Sequence, residues 1–340
     1  MSAPIRSFAH VDDALGPAAT RFFGHGYRRV GYGFGAVECR YAAASETVET
    51  TLQLEYPSDW SKKKASRLQR PHLSSLDAIV VGVQIADAVL THWFRLDSVD
   101  RSASWIREIH IKAGSAPQED LAILHVTGTV IESTLTDSFW RASTIAVSIG
   151  SMHVRLDVVH PSGHRWIGSG NYHSLDALLG EASRRYYGTG FADRTHELLG
   201  VRVDTAEGSA SGSVRFSQTM KPTLDGVEGR YQPAASPIDV FVANLQLGQV
   251  LLYELDGVGR SESNTLWMRS ATITTTRAPI PLSNDLFVYT ALQDSRILTI
   301  QGDQWRTATL VGALSGLNLT CKLTHKLART PLQQPAGGPT

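Results

Sequence analysis

Two stretches of this chain are apolar almost all the way round a helix: LSSLDAIVVGVQIADAVLTHWF at residues 73–94 and SPIDVFVANLQLGQVLLYEL at residues 236–255. A helix without a polar face has no side to turn to water, so each should be buried. Ser74 or Ser75 suits the N-cap of the first, and Pro237 suits the first turn of the second. Around each stretch run segments in which apolar and polar residues alternate, the period of a half-buried strand. In the first half these predict strands at 48–56, 105–113 and 121–133, with 141–160 forming two strands or one bent strand. In the second half the same reading gives 212–218, 267–275, 286–295 and 306–325. A short helix opens each half, at 11–23 and 175–187, where Gly16 and Gly180 either interrupt it or mark a close backbone approach.

The two halves match residue by residue. VDDALGPAATRFFGHGY at 11–27 falls on LDALLGEASRRYYGTGF at 175–191 with an offset of 164. With an offset of 162, Asp77 falls on Asp239, Gln84 on Gln246, Trp105 on Trp267, Arg107 on Arg269 and Pro117 on Pro279. With an offset of 165, Trp140 and Arg141 fall on Trp305 and Arg306, and His160 on His325. Three matches in one order, with small drifts such as loop insertions produce, point to a duplicated unit. A period this long excludes a solenoid of short repeats and favours two like domains.

One buried helix wrapped by a long antiparallel sheet, present twice, reads as an α+β tandem or double hotdog. The first unit spans 1–165 and the second 166–328, followed by a disordered Pro- and Gly-rich tail at 329–340. The expected arrangement is an intrachain pseudo-dimer with the sheets edge to edge and the helices side by side. A further homodimer is left open. Two unrelated α+β domains would fit the periodicity alone.

Composition narrows the function. With 32 basic and 32 acidic residues and no basic stripe, nucleic acid is a poor partner. Cys39 and Cys321 are too few and too far apart for a disulfide framework or a zinc site, and suit a reducing cytoplasm. No signal peptide or apolar run long enough for a membrane span is apparent. Lys62, Lys63 and Lys64 read as a solvated loop. With Trp60 they could form a lid or carrier-docking element, in a loop read as missing from the second half. There is no GxSxG, P-loop, HExxH or CxxC pattern, and GYGFG at 31–35 lacks the dinucleotide spacing. No metal and no cofactor is expected.

The opening VDDALGPAATRFFGHGY, the segment YPSDWS at 56–61 and the run RPHLSSLDA at 70–78 resemble the avirulence-D (AvrD) family, over most of the chain up to about residue 327. The resemblance implies synthesis of small acylated sugar-like signals of the syringolide type, in which a β-ketoacyl thioester is joined to a ketopentose such as xylulose. More remotely, the architecture is similar to the A-factor synthase (AfsA) family, which joins β-ketoacyl groups to dihydroxyacetone phosphate. Both imply an acyl carrier protein or coenzyme A thioester and a small polyol as partners.

In hotdog enzymes a helix start points free N–H groups at a thioester carbonyl. That directs attention to 70–77. His72 is the strongest candidate for a base. Histidine is the residue type suited to a general base near neutrality, and the counterpart of His72 is Ala234, as if one site were kept and the other lost. Asp77 is a second catalytic candidate, as base or orienter of His72, with helix capping as the structural alternative. Ser74, Ser75, Gln84, Asp239, Gln246 and Arg107 are candidates for substrate contacts. Gln84 and Gln246 could instead bond each other across the pseudo-twofold. Trp105 with Arg107, and Trp267 with Arg269, sit at alternate strand positions and should share a face, as stacked pairs or as anion binders. Asp87 lies fifteen residues after His72, the spacing of a dehydratase carboxylate, but without that pattern's glycines and prolines. The leading expectation is a condensing acyltransferase. The alternatives are a dehydratase or thioesterase using the same pocket, and a non-catalytic acyl- or signal-binding module that holds ligand without consuming it.

Overall fold

The computed structural model describes residues 5–42, 45–61, 70–218, 224–260, 266–282 and 285–327. Lys62–Lys64 and the tail at 329–340 lie outside them. Both apolar stretches are helices, the first core helix at Ser75–Trp93 and the second at Pro237–Asp256. Ser74 and Ser236 are the N-caps. Each accepts from the N–H of the aspartate three residues on, which in turn accepts from the cap's own N–H: a reciprocal capping box. The second helix has Pro237 in its first turn and ends at Gly257, whose φ of 62° few side chains would tolerate.

The strands in chain order are β1 (Arg6–His10), β2 (Gly31–Phe34), β3 (Val37–Ala42), β4 (Ser45–Glu55), β5 (Trp105–Lys112), β6 (Leu124–Leu135), β7 (Trp140–Ile149) and β8 (Met152–Pro161) in the first half. The second half holds β9 (Gly170–Tyr172), β10 (Arg194–Asp204), β11 (Ser209–Gln218), β12 (Trp267–Thr274), β13 (Asp285–Ile300), β14 (Asp303–Leu314) and β15 (Leu317–Lys326). The stretches at 141–160 and 306–325 are hairpins, turning at Gly150 and at Ser315–Gly316. All the strands join one sheet of order β1-β10-β11-β13-β14-β15-β12-β5-β8-β7-β6-β4-β3-β9, with β2 on β4. The sheet wraps both helices, so the protein is a double hotdog. The first core helix is long and apolar enough to cross a membrane, but nearly all of it is buried inside the molecule. Each large apolar side chain so buried stabilises by about 1.5–3 kcal/mol.

The seam is the antiparallel pair β5–β12, where Ile111 faces Ala271, His110 faces Thr272 and Ile109 faces Ile273. At the 162-residue offset His110 and Thr272 are also counterparts, so the pseudo-twofold axis passes between them. The ends of the sheet obey the same symmetry through an exchange. β1 of the first half pairs with β10, Phe8 opposite Val201, while β9 of the second half pairs with β3, Tyr172 opposite Val37. Phe8 and Tyr172 are counterparts at the offset of 164, and so are Val37 and Val201. Each core helix holds the visiting strand: His92 bonds the Tyr172 hydroxyl (2.9 Å), and Glu254 pairs with Arg6 (2.6 Å).

Two expectations need correction. The opening helices end at Leu15 and Leu179, not at 23 and 187, because Gly16 and Gly180 turn the chain at φ 77° and 82°. A Cβ built on either glycine touches nothing within 4 Å, so the torsion, not close packing, requires glycine there. Trp105 and Arg107 do not share a face by alternation, nor do Trp267 and Arg269. Each arginine is the extra residue of a β-bulge, which breaks the period of two.

Candidate active site

At the start of the first core helix Asp77 is fully buried. Its Oδ2 accepts from the Ser74 N–H (2.8 Å) and hydroxyl (2.7 Å), and Oδ1 accepts from the Tyr32 hydroxyl (2.8 Å). The Tyr56 hydroxyl also bonds Oδ2 and lies 3.0 Å from the His72 carbonyl oxygen. Burial pushes this carboxyl up, against hydroxyl and amide bonds that pull it down. At the counterpart position burial also pushes Asp239 up. The Arg194 charge and the His196 bond outweigh it and hold the carboxyl well below the usual range. Arg194 and His196 each approach Asp239 at 2.6 Å. One position thus carries a carboxylate between a guanidinium and an imidazole in the second unit and one among hydroxyls in the first. Neither Asp77 nor Asp239 lines a cavity among those described below; both hold helix starts together.

A cavity of about 360 Å³ opens in front of the first helix start. His72, Ser74 and Ser75 line it, so the structure brings these three sequence candidates together. His72 is half-buried, with its ring edge-on to Trp60 at 5.9 Å. The Ser75 and Leu76 amides have no acceptor within the helix, while that of Asp77 is taken by Ser74. The opposite wall comes from the second core helix: Leu245, Gly248, Gln249, Leu252 and Tyr253. Phe22, Phe23, Trp267, Met268 and Leu323 add apolar surface, and Arg70, Gln118, Glu119 and Arg260 add polar and charged groups. Arg21 brings a guanidinium, bonded to Asp12 and to Gln246, with its Nε buried and unpartnered among the described residues. Cys321 also lines the cavity; burial pushes its thiol up to about 12, which leaves it unreactive at neutral pH.

The twin of this cavity is filled by residues 224–231. Leu224, Val227 and Glu228 are buried there. The Glu228 carboxylate accepts from the Tyr187 hydroxyl (2.7 Å) and the Ile106 N–H (3.1 Å). The counterparts of those two residues, Phe23 and Met268, line the open cavity. Asp87 turns to this filled side, paired with Arg101 at 3.1 Å and bonded by the Val227 N–H. The second half therefore does have a loop where the first carries Trp60: Leu224 packs under Gly190 as Trp60 packs under Gly26.

The remaining candidates lie elsewhere. Gln84 and Gln246 do not meet across the axis; Gln84 accepts from Arg185 (3.2 Å) and Gln246 from Arg21, reciprocally between halves. Arg107 is exposed, 3.4 Å from Asp157, away from the cavity. Sequence reasoning missed Arg21, Gln118, Gln249 and Arg260, which line the cavity. Gln249 was findable, because it stands where Asp87 stands in the first half. Among the described residues no group of three His, Cys, Asp or Glu side chains is arranged to hold a metal ion.

The fold and cavity define a double-hotdog protein with, among the described residues, one open helix-start site. Its sequence matches the family described as Pseudomonas avirulence D protein (AvrD) over residues 6–328, and the chain belongs to that family. No curated protein matches it. Among solved structures it is similar to the dehydratase domain from the CurJ module of curacin polyketide synthase (11% identity, 85% of this chain and 95% of that one, TM-score 0.39). It is also similar to the 12:0-ACP thioesterase from Umbellularia californica (10%, 82% and 94%, TM-score 0.38). A third likeness is to a hot dog fold protein from Alicyclobacillus acidocaldarius (11%, 86% and 96%, TM-score 0.31). Likeness at these scores bears on neither substrate nor reaction.

Proposed function

We propose that the chain is an acyl-transferring enzyme. It condenses a β-ketoacyl thioester, carried on acyl carrier protein or coenzyme A, with a sugar-like polyol of the xylulose type. One observation carries the reading: of the two twin helix starts, the described residues leave a cavity in front of the first, with His72 in its lining, while at the second residues 224–231 are packed in and His196 is taken up by Asp239.

In this reading the thioester carbonyl meets the helix start at the Ser75 amide, and the acyl chain lies along Leu245, Leu252 and Leu323. His72 takes the proton of the acceptor hydroxyl as its oxygen attacks the carbonyl carbon. The negative oxygen of the tetrahedral intermediate gains from the helix dipole and free amides. Collapse breaks the C–S bond, and His72 returns the proton to the leaving thiolate. The acidic carbon between the two carbonyls can then lose a proton to the same imidazole and add to the acceptor's ketone, whose oxygen takes that proton back from the imidazolium as the C=O bond becomes a hydroxyl. Tyr56 fixes the His72 backbone through its carbonyl and ties it to Asp77, which makes Asp77 a positioning residue. Gln249 and Arg21 offer hydrogen bonds to a polyol.

At the position that Asp87 holds in the other half the cavity carries Gln249, whose amide cannot supply the proton that a departing hydroxyl needs in a dehydration; Glu119, also in the lining, is paired with Arg70. The test is incubation with a β-ketoacyl thioester, with and without xylulose, following thiol release and product mass. Xylulose-dependent release with an acyl–sugar adduct supports the proposal. Release independent of xylulose indicates hydrolysis, and binding without release indicates a receptor.

A further inference from the structure

A second pocket, of about 280 Å³, lies apart from the helix-start site, where the exchanged segments meet the first core helix. Three side chains in its lining carry buried N–H donors with no partner among the described residues: Arg28 Nε, Gln84 Nε2 and Arg185 Nε. Gln84 is 3% exposed and Arg185 2%. An unpaired buried donor is costly, and three on one pocket form a set that lacks its acceptor. The charges agree. Arg185 is balanced by Asp176 at 2.5 Å, whereas Arg28 has no carboxylate partner among the described residues and bonds only the Arg194 carbonyl (3.2 Å). The pocket thus holds one uncompensated positive charge. Its other walls are apolar, from Val30, Phe34, Leu175 and Phe191, and it reaches solvent beside the exposed Asp176 and Thr189.

We propose that this pocket binds a small organic carboxylate, its two oxygens taking the donors of Arg28, Gln84 and Arg185 and its short carbon body lying on Val30, Phe34 and Phe191. A carboxylate has lone pairs enough for three donors, and guanidinium groups recognise it by paired N–H bonds. The apolar walls favour it over a bare inorganic anion. The site is independent of the acyl-transfer reading and stands or falls without it.

The test titrates the whole chain with butyrate, butyramide and inorganic phosphate, by calorimetry and thermal shift. Saturable butyrate binding that raises Tm is expected, with little from butyramide, which lacks the charge. Arg28→Met and Gln84→Leu should each weaken it about tenfold or more, and His72→Ala should leave it unchanged. Two variants are used so that a folding defect in one does not decide the matter. Absence of saturable butyrate binding to the wild-type chain would overturn the proposal and leave the donors to water. So would binding that neither variant weakens. Phosphate binding in place of butyrate would overturn the carboxylate assignment.

Discussion

His110 and Thr272 occupy the same position in the two halves of the chain and pair with each other, the imidazole Nδ1 2.9 Å from the threonine hydroxyl. Only residues on a twofold axis can be both counterparts and partners. The pair fixes how the two units meet and, with that, which helix faces which helix start. His72 belongs to one unit and Gln249 to the other, yet both face one cavity.

If His72 is the base, His72→Ala should lower turnover by about 10²–10⁴-fold. The ring is half-buried at a loop, so stability should stay within about 0.5 kcal/mol. Steady-state rates beside thermal melts check this. Retained turnover in a folded variant would remove His72 from the mechanism.

The two helix-start aspartates should behave differently. Asp239→Asn leaves Arg194 and His196 buried without their carboxylate and should cost about 3–5 kcal/mol. Asp77→Asn loses bonds only to hydroxyls and an amide and should cost about 1–2 kcal/mol. Denaturant titration compares them, and equal losses would contradict the account of their surroundings.

Burial pushes Glu228 in the filled twin site up from 4.5 to about 7. The folded chain therefore keeps a proton there that the unfolded chain has released. This contribution to stability is fully present below about pH 4.5 and is lost as pH rises through about 7, in all about 3 kcal/mol. Glu228→Gln should remove that dependence and be relatively more stable at pH 8 than at pH 4. Parallel pH–stability curves for the two proteins would refute it.

Since 224–231 fill the twin cavity, restoring a histidine there should restore nothing. Ala234→His introduced into the His72→Ala chain should remain inactive in the thiol-release assay. Recovered activity would show that the second helix start is accessible.

Much of this was legible in the sequence, because duplication preserves what folding needs locally. The capping pairs Ser74–Asp77 and Ser236–Asp239, the apolar helices and the alternating strands all depend on near neighbours. His72, Ser74 and Ser75 could be found because a helix start advertises its own chemistry. The exchange of β1 and β9 was not legible, since a repeat offset says which positions correspond but not which unit a segment joins. Nor were the bonds Arg21–Gln246 and Arg185–Gln84, which follow from that exchange. The bulges at Arg107 and Arg269 defeated period-two counting. Whether Asp77 acts as base, as orienter of His72 or as a helix cap was not legible, because a capping carboxylate and a catalytic one occupy the same sequence position; the hydroxyls of Tyr32 and Tyr56 show that it faces inward.

The central claim is that one acyl-thioester site survives of two. Calorimetric titration of the whole chain with a non-hydrolysable β-ketoacyl thioester analogue tests it most directly. The account predicts one equivalent bound per chain, lost when Leu245→Trp fills the cavity from the second core helix. Two equivalents, no binding, or one equivalent that survives that substitution would contradict it.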